Sequence, residues 1–367
     1  MRIILCVTSD IATDQRVNRI AHSLKKIPAD ILITGILFPA SLSLPDELFQ
    51  THRIRLIFKK GPLFYSEFNI RLFFYLLFSR ADILVANDLD TLPAVFLASI
   101  VKRIPLVYDS HEYFTELPEL VDRRHVKRIW EKLESLILPR IRHAYTVSPS
   151  IAADYGKKYR IRMSVIRNLP MRNADIPRGN SLRKRDEKLL IYQGALNMGR
   201  GLENAIRAMQ FLENTSLLIA GSGYYENVLR ELTQSLKLHE KVRFLGRIRP
   251  EKLIHYTAQA DLGISLEEHK GLNYYYALPN KLFDYIQAQI PVLVSDMPEM
   301  VAIVKNYGVG RIVNSVNPKE LAEVFNEMLN DESMKKQWKI NLAKAAMELC
   351  WENEEQKLLD IYRNIPL

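Results

Sequence analysis

Two stretches of this 367-residue chain carry side chains that could do chemistry at a phosphate. In "IYQGALNMGRGLENAIRAM", Gly194 falls at a strand end, and Arg200 and Gly201 stand just before a helix. Such a glycine turn lets backbone N–H groups approach an anion, and the helix N-terminus adds partial positive charge. Arg200 would supply a full charge and paired donors. In "ALPNKLFDYIQAQIPVLVSD", Ala277 to Asp296, Pro279 suits a helix's first turn and a helix begins near Asn280. A phosphate at that N-terminus would gain from free N–H groups and from Lys281. Asp284 lies one turn beyond Asn280 on the same face, which suits it to two ribose hydroxyls rather than to phosphate. Diphosphate plus ribose describes a nucleotide. The plainer alternatives are an exposed arginine in a glycine turn and a first-turn acid complementing the helix dipole.

A third group lies in the first half. "YDSHEYF" places Asp109, His111 and Glu112 at a strand end, and "ANDLD" places Asn87, Asp88 and Asp90 at another. A lone histidine is usually structural; one that follows a strand in this way is a candidate for chemistry.

The elements that must position these residues follow from hydrophobic periodicity. "RIILCVTS", "ADILITGIL", "ADILVAND", "IPLVYDSHEYF" and "HAYTVSP" read as buried strands, with helical stripes such as "DQRVNRIAHSLKKI" between them. After the polar stretch 168–187, "KLLIYQG", "TSLLIAGSG", "KVRFLG", "ADLGISL", "IPVLVSD" and "VGRIV" form a second series. Strands alternating with helices give βαβ units and a parallel sheet. The expected fold class is therefore α/β, with two doubly wound Rossmann-like domains. Residues 1–167 form the first, residues 168–350 the second, and the amphipathic tail 351–367 returns to the first. Ligands of such sheets bind beyond the carboxyl ends of the strands, so a cleft between the domains is the expected site. "AGSG" (Ala220–Gly223) is a weak dinucleotide fingerprint, because the third glycine of the pattern would fall at Glu226.

Composition narrows the class. A 48% hydrophobic content with 25% charge belongs to a globular protein. Cys6 and Cys350 sit in apolar contexts far apart, which suggests core filling and neither disulfide nor zinc. The first apolar run is too short for a signal peptide, so a cytoplasmic protein is expected. The net charge of +9 is concentrated in residues 1–167, with 25 basic against 17 acidic side chains. Residues 58–80 set aromatics beside Lys59, Lys60, Arg71 and Arg80. Residues 121–142 combine basic residues with a stripe at Val126, Ile129, Trp130, Leu133 and Ile137. Such helices can lie peripherally on an anionic membrane, or simply pack on the sheet. No recognised nucleic-acid reader is present, so no nucleic-acid partner is expected.

Taken in order, these motifs resemble the retaining GT-B glycosyltransferases of family 4, the group 1 type. "YQGAL…GRGLENAI", "LLIAGSG", "VRFLGRI…EKLIHYTAQADLGISL" and "LPNKLFDYIQAQIPVLVSD" are similar to its donor domain. "TDQRVNRIAHSL", "ANDLDTLPA", "YDSHEYF", "TVSPSIA" and "VIRNLP" are similar to its first domain. The resemblance implies transfer of a hexose-type sugar, with retention, from a nucleotide-diphosphate sugar to a glycan or lipid-linked acceptor in cell-envelope or polysaccharide synthesis. The nucleotide sugar is a co-substrate, and neither cofactor nor metal is implied. The family's Glu-x7-Glu positions fall on Tyr276 and Asp284, its phosphate clamp on Gly194-Ala195 and Arg200-Gly201, and its base-lining segment on Gly246, Arg247 and Ile248. His111 matches a position near donor sugar and acceptor. The fold also admits a UDP-sugar 2-epimerase or a catalytically silent sugar-nucleotide binder.

Overall fold

The computed structural model describes all residues except 13, 40, 42–48, 118–119, 121–122, 174–181, 185, 315–316 and 367. The chain divides into two units, Met1–Asn168 with Glu354–Leu367, and Leu169–Asn353.

In the first unit, strands β1 (Arg2–Cys6), β2 (Asp30–Ile36), β3 (Gln50–Ile54), β4 (Ile83–Asn87), β5 (Leu106–Ser110), β6 (His143–Thr146) and β7 (Ser164–Val165) form one sheet. Its order is β3-β2-β1-β4-β5-β6-β7, and every neighbouring pair is parallel. Parallel strands need crossovers, and helices α1 (Gln15–Leu24), α2 (Pro62–Phe78), α3 (Leu92–Lys102), α4 (Arg124–Ile137) and α5 (Pro149–Tyr159) supply them. Strands β4 and β5 are buried along their whole length, as strands covered on both faces must be. Helix α1 starts where the Asp14 side chain accepts the Val17 N–H, and α5 where Ser148 accepts that of Ile151.

Strand β3 escapes the periodicity reading because "QTHRI" is polar. It is an edge strand with only Ile54 buried, and main-chain pairing with β2 carries it.

The second unit repeats the plan with β8 (Lys188–Gln193), β9 (Thr215–Ala220), β10 (Val242–Gly246), β11 (Leu262–Ser265), β12 (Val292–Ser295) and β13 (Gly310–Val313). The order is β10-β9-β8-β11-β12-β13, again parallel throughout. Its helices are α6 (Leu202–Ala208), α7 (Glu226–Ser235), α8 (Pro250–Thr257), α9 (Leu272–Tyr275), α10 (Asn280–Gln287), α11 (Pro298–Tyr307), α12 (Pro318–Asn330) and α13 (Glu332–Glu348).

The last helix, α14 (Trp351–Arg363), divides between the units at residue 354. The Trp351 N–H donates to the Pro170 carbonyl at 2.8 Å, and Asn353 Nδ2 donates to the Met347 and Glu348 carbonyls. These bonds keep the first turn in the second unit. Further along, the Tyr362 hydroxyl meets that of Tyr145 on β6 at 3.3 Å.

Candidate active site

In an open parallel sheet, the chain departs in opposite directions at the point where the strand order reverses, and a crevice opens at the strands' carboxyl ends. That point lies between β1 and β4 in the first unit and between β8 and β11 in the second.

The second unit's crevice rests on close backbone approach. Gly194, with φ +134°, follows β8, and a Cβ on Gly221 would lie 1.8 Å from the Gly194 carbonyl oxygen. Gly223 is pressed against Leu196 in the same way. The "AGSG" glycines are thus required by the packing of two strand ends, which accounts for them without a dinucleotide. Gly201, with φ +68°, abuts the Leu266 carbonyl, where a Cβ would sit 2.2 Å away. The Glu268 N–H donates to the Gly199 carbonyl at 2.9 Å. The loop bearing Arg200 is therefore clasped against the segment after β11.

That segment holds a residue the sequence reading passed over. Glu267 is wholly buried, and its Oε1 lies 2.7 Å from Lys281 Nζ and 3.6 Å from Arg200 Nη1. Ser265 Oγ donates to Oε2 at 2.7 Å, and Ser295 Oγ donates to the Glu267 carbonyl at 2.7 Å. Burial opposes ionisation of Glu267, but Lys281 and Arg200 outweigh it and hold the carboxyl below its ordinary range. Lys281 also lies over the Tyr192 ring, 4.0 Å from its centroid. Lys281, expected to face a phosphate, is buried and paired with Glu267 here. Arg200 is 23% exposed, stacks on Tyr274 at 4.9 Å, and has a buried Nε with no partner among the described residues.

Helix α10 begins without a side-chain cap; the Leu282 N–H bonds back to the Pro279 carbonyl at 3.1 Å, and among the described residues those of Asn280 and Lys281 remain for another acceptor. Asn280 is exposed at that end. Asp284 Oδ2 accepts from Gln193 Nε2 at 2.7 Å, and Gln193 Oε1 accepts from Thr257 Oγ1 at 2.6 Å. The amide is thereby oriented and the carboxylate aimed. Gly194, Arg200, Gly201, Lys281 and Asp284 thus gather at the carboxyl ends of β8 and β11. Tyr276 follows α9, its ring against Tyr275 at 5.4 Å. Arg247 and Ile248 lie two strands away, past β10, and Arg247 is exposed.

In the first unit, Thr8 Oγ1 donates to Asp90 Oδ2 at 2.5 Å, across the gap between β1 and β4. Asp90 is buried, and burial first and the Asp88 charge second push its carboxyl up to about 7. Asp88 adopts φ 62°, and its Oδ1 accepts the His111 N–H at 2.8 Å. A non-glycine residue held in that region marks strain that the surroundings must maintain. His111 Nε2 lies 3.0 Å from Asp109 Oδ2, and Nδ1 lies 3.3 Å from Asp88 Oδ2. Burial works against the imidazolium, yet Asp109 and Asp88 outweigh it and push the pKa up to about 9. The two carboxylates therefore favour the imidazolium form of His111.

Two of the expected catalytic residues, Asp109 and Glu112, flank His111. Asp109 is wholly buried, salt-bridged to Arg16 at 2.9 Å, and positions His111 from beneath. The Glu112 side chain is exposed, and its carbonyl accepts from Ser110 Oγ at 2.9 Å. Arg16 was not foreseen either; the visible signal is an arginine abutting the apolar stripe of α1, directly before Val17.

The raised pKa of His111 has a thermodynamic consequence. Its folded value lies above the unfolded 6.5, so the stabilisation is complete below pH 6.5 and is lost as pH rises through about 9. Wild-type stability relative to His111→Gln is expected to fall across that window, by on the order of 3 kcal/mol at most. Denaturant unfolding of both proteins at pH 6 and 9 measures this, and a difference that stays flat or grows would contradict it.

The model of the group 1 glycosyl transferases matches residues 174–345, and that of glycosyltransferase family 4 matches residues 25–169. The chain belongs to the group 1 / family 4 glycosyltransferases. A curated relative, an uncharacterised glycosyltransferase of Methanocaldococcus jannaschii, is 30% identical over 184 residues, covering 48% of this chain and 45% of that one. The chitobiosyldiphosphodolichol beta-mannosyltransferase of Candida albicans is 27% identical over 187 residues, covering 48% and 40%. The matches thus span less than half the length of these relatives. Among solved structures, Anabaena HepE in complex with UDP and glucose superposes with a TM-score of 0.78 at 17% identity, covering 100% of both chains. WaaG, a glycosyltransferase involved in lipopolysaccharide biosynthesis, gives 0.75 at 18%, covering 99% of this chain and 100% of its own. These structures show that the chain has the GT-B fold.

Proposed function

We propose that this glycosyltransferase takes its sugar from a nucleoside-diphosphate sugar and passes it, with retention, to a hydroxyl of a glycan or lipid-linked acceptor. The observation that carries the reading is the set at the ends of β8 and β11: Arg200 placed but not consumed, the uncapped N-terminus of α10, and Asp284 aimed by Gln193. Arg200 and the helix end would meet the diphosphate, and Asp284 the ribose hydroxyls. Charge developing on the leaving diphosphate is then met by protein groups already in place, which is the larger part of what such a reaction needs. His111 supplies positive charge on the acceptor side. In this reading the leaving diphosphate accepts the proton of the attacking hydroxyl, and His111 takes no part in that transfer. That is the front-face course of retaining transfer.

The test is a panel of UDP-, GDP- and ADP-sugars, with nucleoside diphosphate release followed and binding measured by calorimetry. One nucleoside diphosphate should bind, and its sugar should be consumed when acceptor is present. Asp284→Ala should weaken binding by about 10- to 100-fold, the loss of one or two hydrogen bonds to a charged group. Undiminished binding by that variant would remove Asp284 from the ribose role. Interconversion of UDP-sugars without diphosphate release would favour the epimerase reading.

For location, no helix among the described residues is long and apolar enough to cross a membrane. Peripheral binding to an anionic membrane is the finer proposal, and α2 supports it. Leu63, Ile70, Phe74 and Phe78 are exposed on that helix, with Ile57 and Phe58 beside Lys59 and Lys60. Helix α4 divides its stripe, with Trp130 and Ile137 buried and Ile129 exposed; Val121 and Asp122 lie outside the described residues. Co-sedimentation with anionic vesicles should be strong at low salt and lost on Phe74→Ser/Phe78→Ser. Sedimentation that the double variant leaves unchanged would refute this surface.

A further inference from the structure

We propose that Glu267 is a positioning residue that anchors Lys281 permanently and holds Arg200 only until a diphosphate takes it; this rests on the donor reading above. The two cations are not held alike. Lys281 Nζ sits 2.7 Å from the carboxylate, beneath the surface and over the Tyr192 ring. Withdrawing it would strand two buried charges, so it stays. Arg200 stands 3.6 Å away, well beyond the 2.7–2.9 Å usual for a charge-assisted bond, and its Nε has no partner among the described residues.

Glu267 cannot follow the arginine when it turns. Ser265 holds Oε2, Ser295 holds the carbonyl, and the next residue's N–H is bonded to Gly199. The carboxylate therefore competes with the diphosphate for one guanidinium. That competition weakens retention of the nucleoside diphosphate left after transfer, and so favours its departure.

The experiment replaces the pair together, Glu267→Gln with Lys281→Met, because Glu267→Gln alone leaves a buried ammonium unpaired. The double substitution exchanges a neutral pair for a neutral pair of similar shape, and a thermal melt close to wild type confirms the fold. Calorimetry is run with UDP, GDP and ADP and with the matching nucleosides. The double variant should bind the nucleoside diphosphate about fivefold or more tightly, with nucleoside affinity unchanged, and turn over more slowly at saturating donor. Diphosphate affinity that is unchanged overturns the inference, and weaker binding does so by making Lys281 a phosphate ligand. Equal tightening for nucleoside and diphosphate also overturns it, since the gain would not arise at Arg200. If the wild type binds none of the three diphosphates, the donor reading fails and this inference falls with it.

Discussion

Arg200→Ala is expected to lower kcat/KM for the donor sugar by about 10²- to 10³-fold, the usual cost of removing one preorganised donor from developing negative charge. The reason lies in how the side chain is kept. Its loop is fixed by Gly201 against Leu266 and by Gly199 accepting from Glu268, so the guanidinium is presented without being immobilised. It stacks on Tyr274 and stands at a long 3.6 Å from Glu267. Little folding energy depends on that contact, so the melting temperature should barely move. Lysine at the position should recover only part of the activity, because a point charge cannot make the paired bonds of a guanidinium. Steady-state kinetics on the best donor of the panel, with a melt of each variant, decides the matter. Activity within a few-fold of wild type would show that the diphosphate is held elsewhere.

The second large effect concerns stability. Arg16→Met removes the cation from a fully buried pair and leaves Asp109 charged, with His111 as its remaining counter-ion. Breaking a buried pair from one side costs about 3–5 kcal/mol. Arg16 also donates to the Ile166 carbonyl through both Nη atoms at 3.3 Å, so the residue following β7 loses a tether as well. Replacing both partners, Arg16→Met with Asp109→Leu, should restore much of the loss, since no lone charge then remains. Differential scanning calorimetry of the three proteins gives the ranking. A single variant as stable as wild type would show that the pair contributes nothing.

Both predictions turn on partners that single-sequence reasoning did not join. Arg200 stood out from its glycine turn, but Glu267 lies in "SLEEHK", where two adjacent acids look like an ordinary polar loop. Lys281 was visible as a charge in a helix's first turn, and its burial was not, because burial depends on what β11 places opposite it. The apolar stripe of α4 had the spacing of a membrane face, and in the fold Trp130 and Ile137 pack inward while Ile129 stays exposed. Periodicity states that a face is apolar; only the neighbours say whether it is covered.

What the amino-acid order determined by itself was local and repetitive. Doubly buried strands such as "ILVAN" and "VLVS" leave continuous apolar runs, helices leave stripes, and their alternation dictates parallel sheets with a crevice at the carboxyl ends. The glycine turn and the uncapped start of α10 belong to the same class, since a backbone conformation or a missing cap is written within a few residues. The pairings across the sheets were decided by tertiary structure alone: Arg16 with Asp109, 93 residues apart, Gln193 with Asp284, 91 apart, and Glu267 with Lys281. Charges attract by distance and dielectric, not by sequence separation, and both are set only once the strands have closed around them.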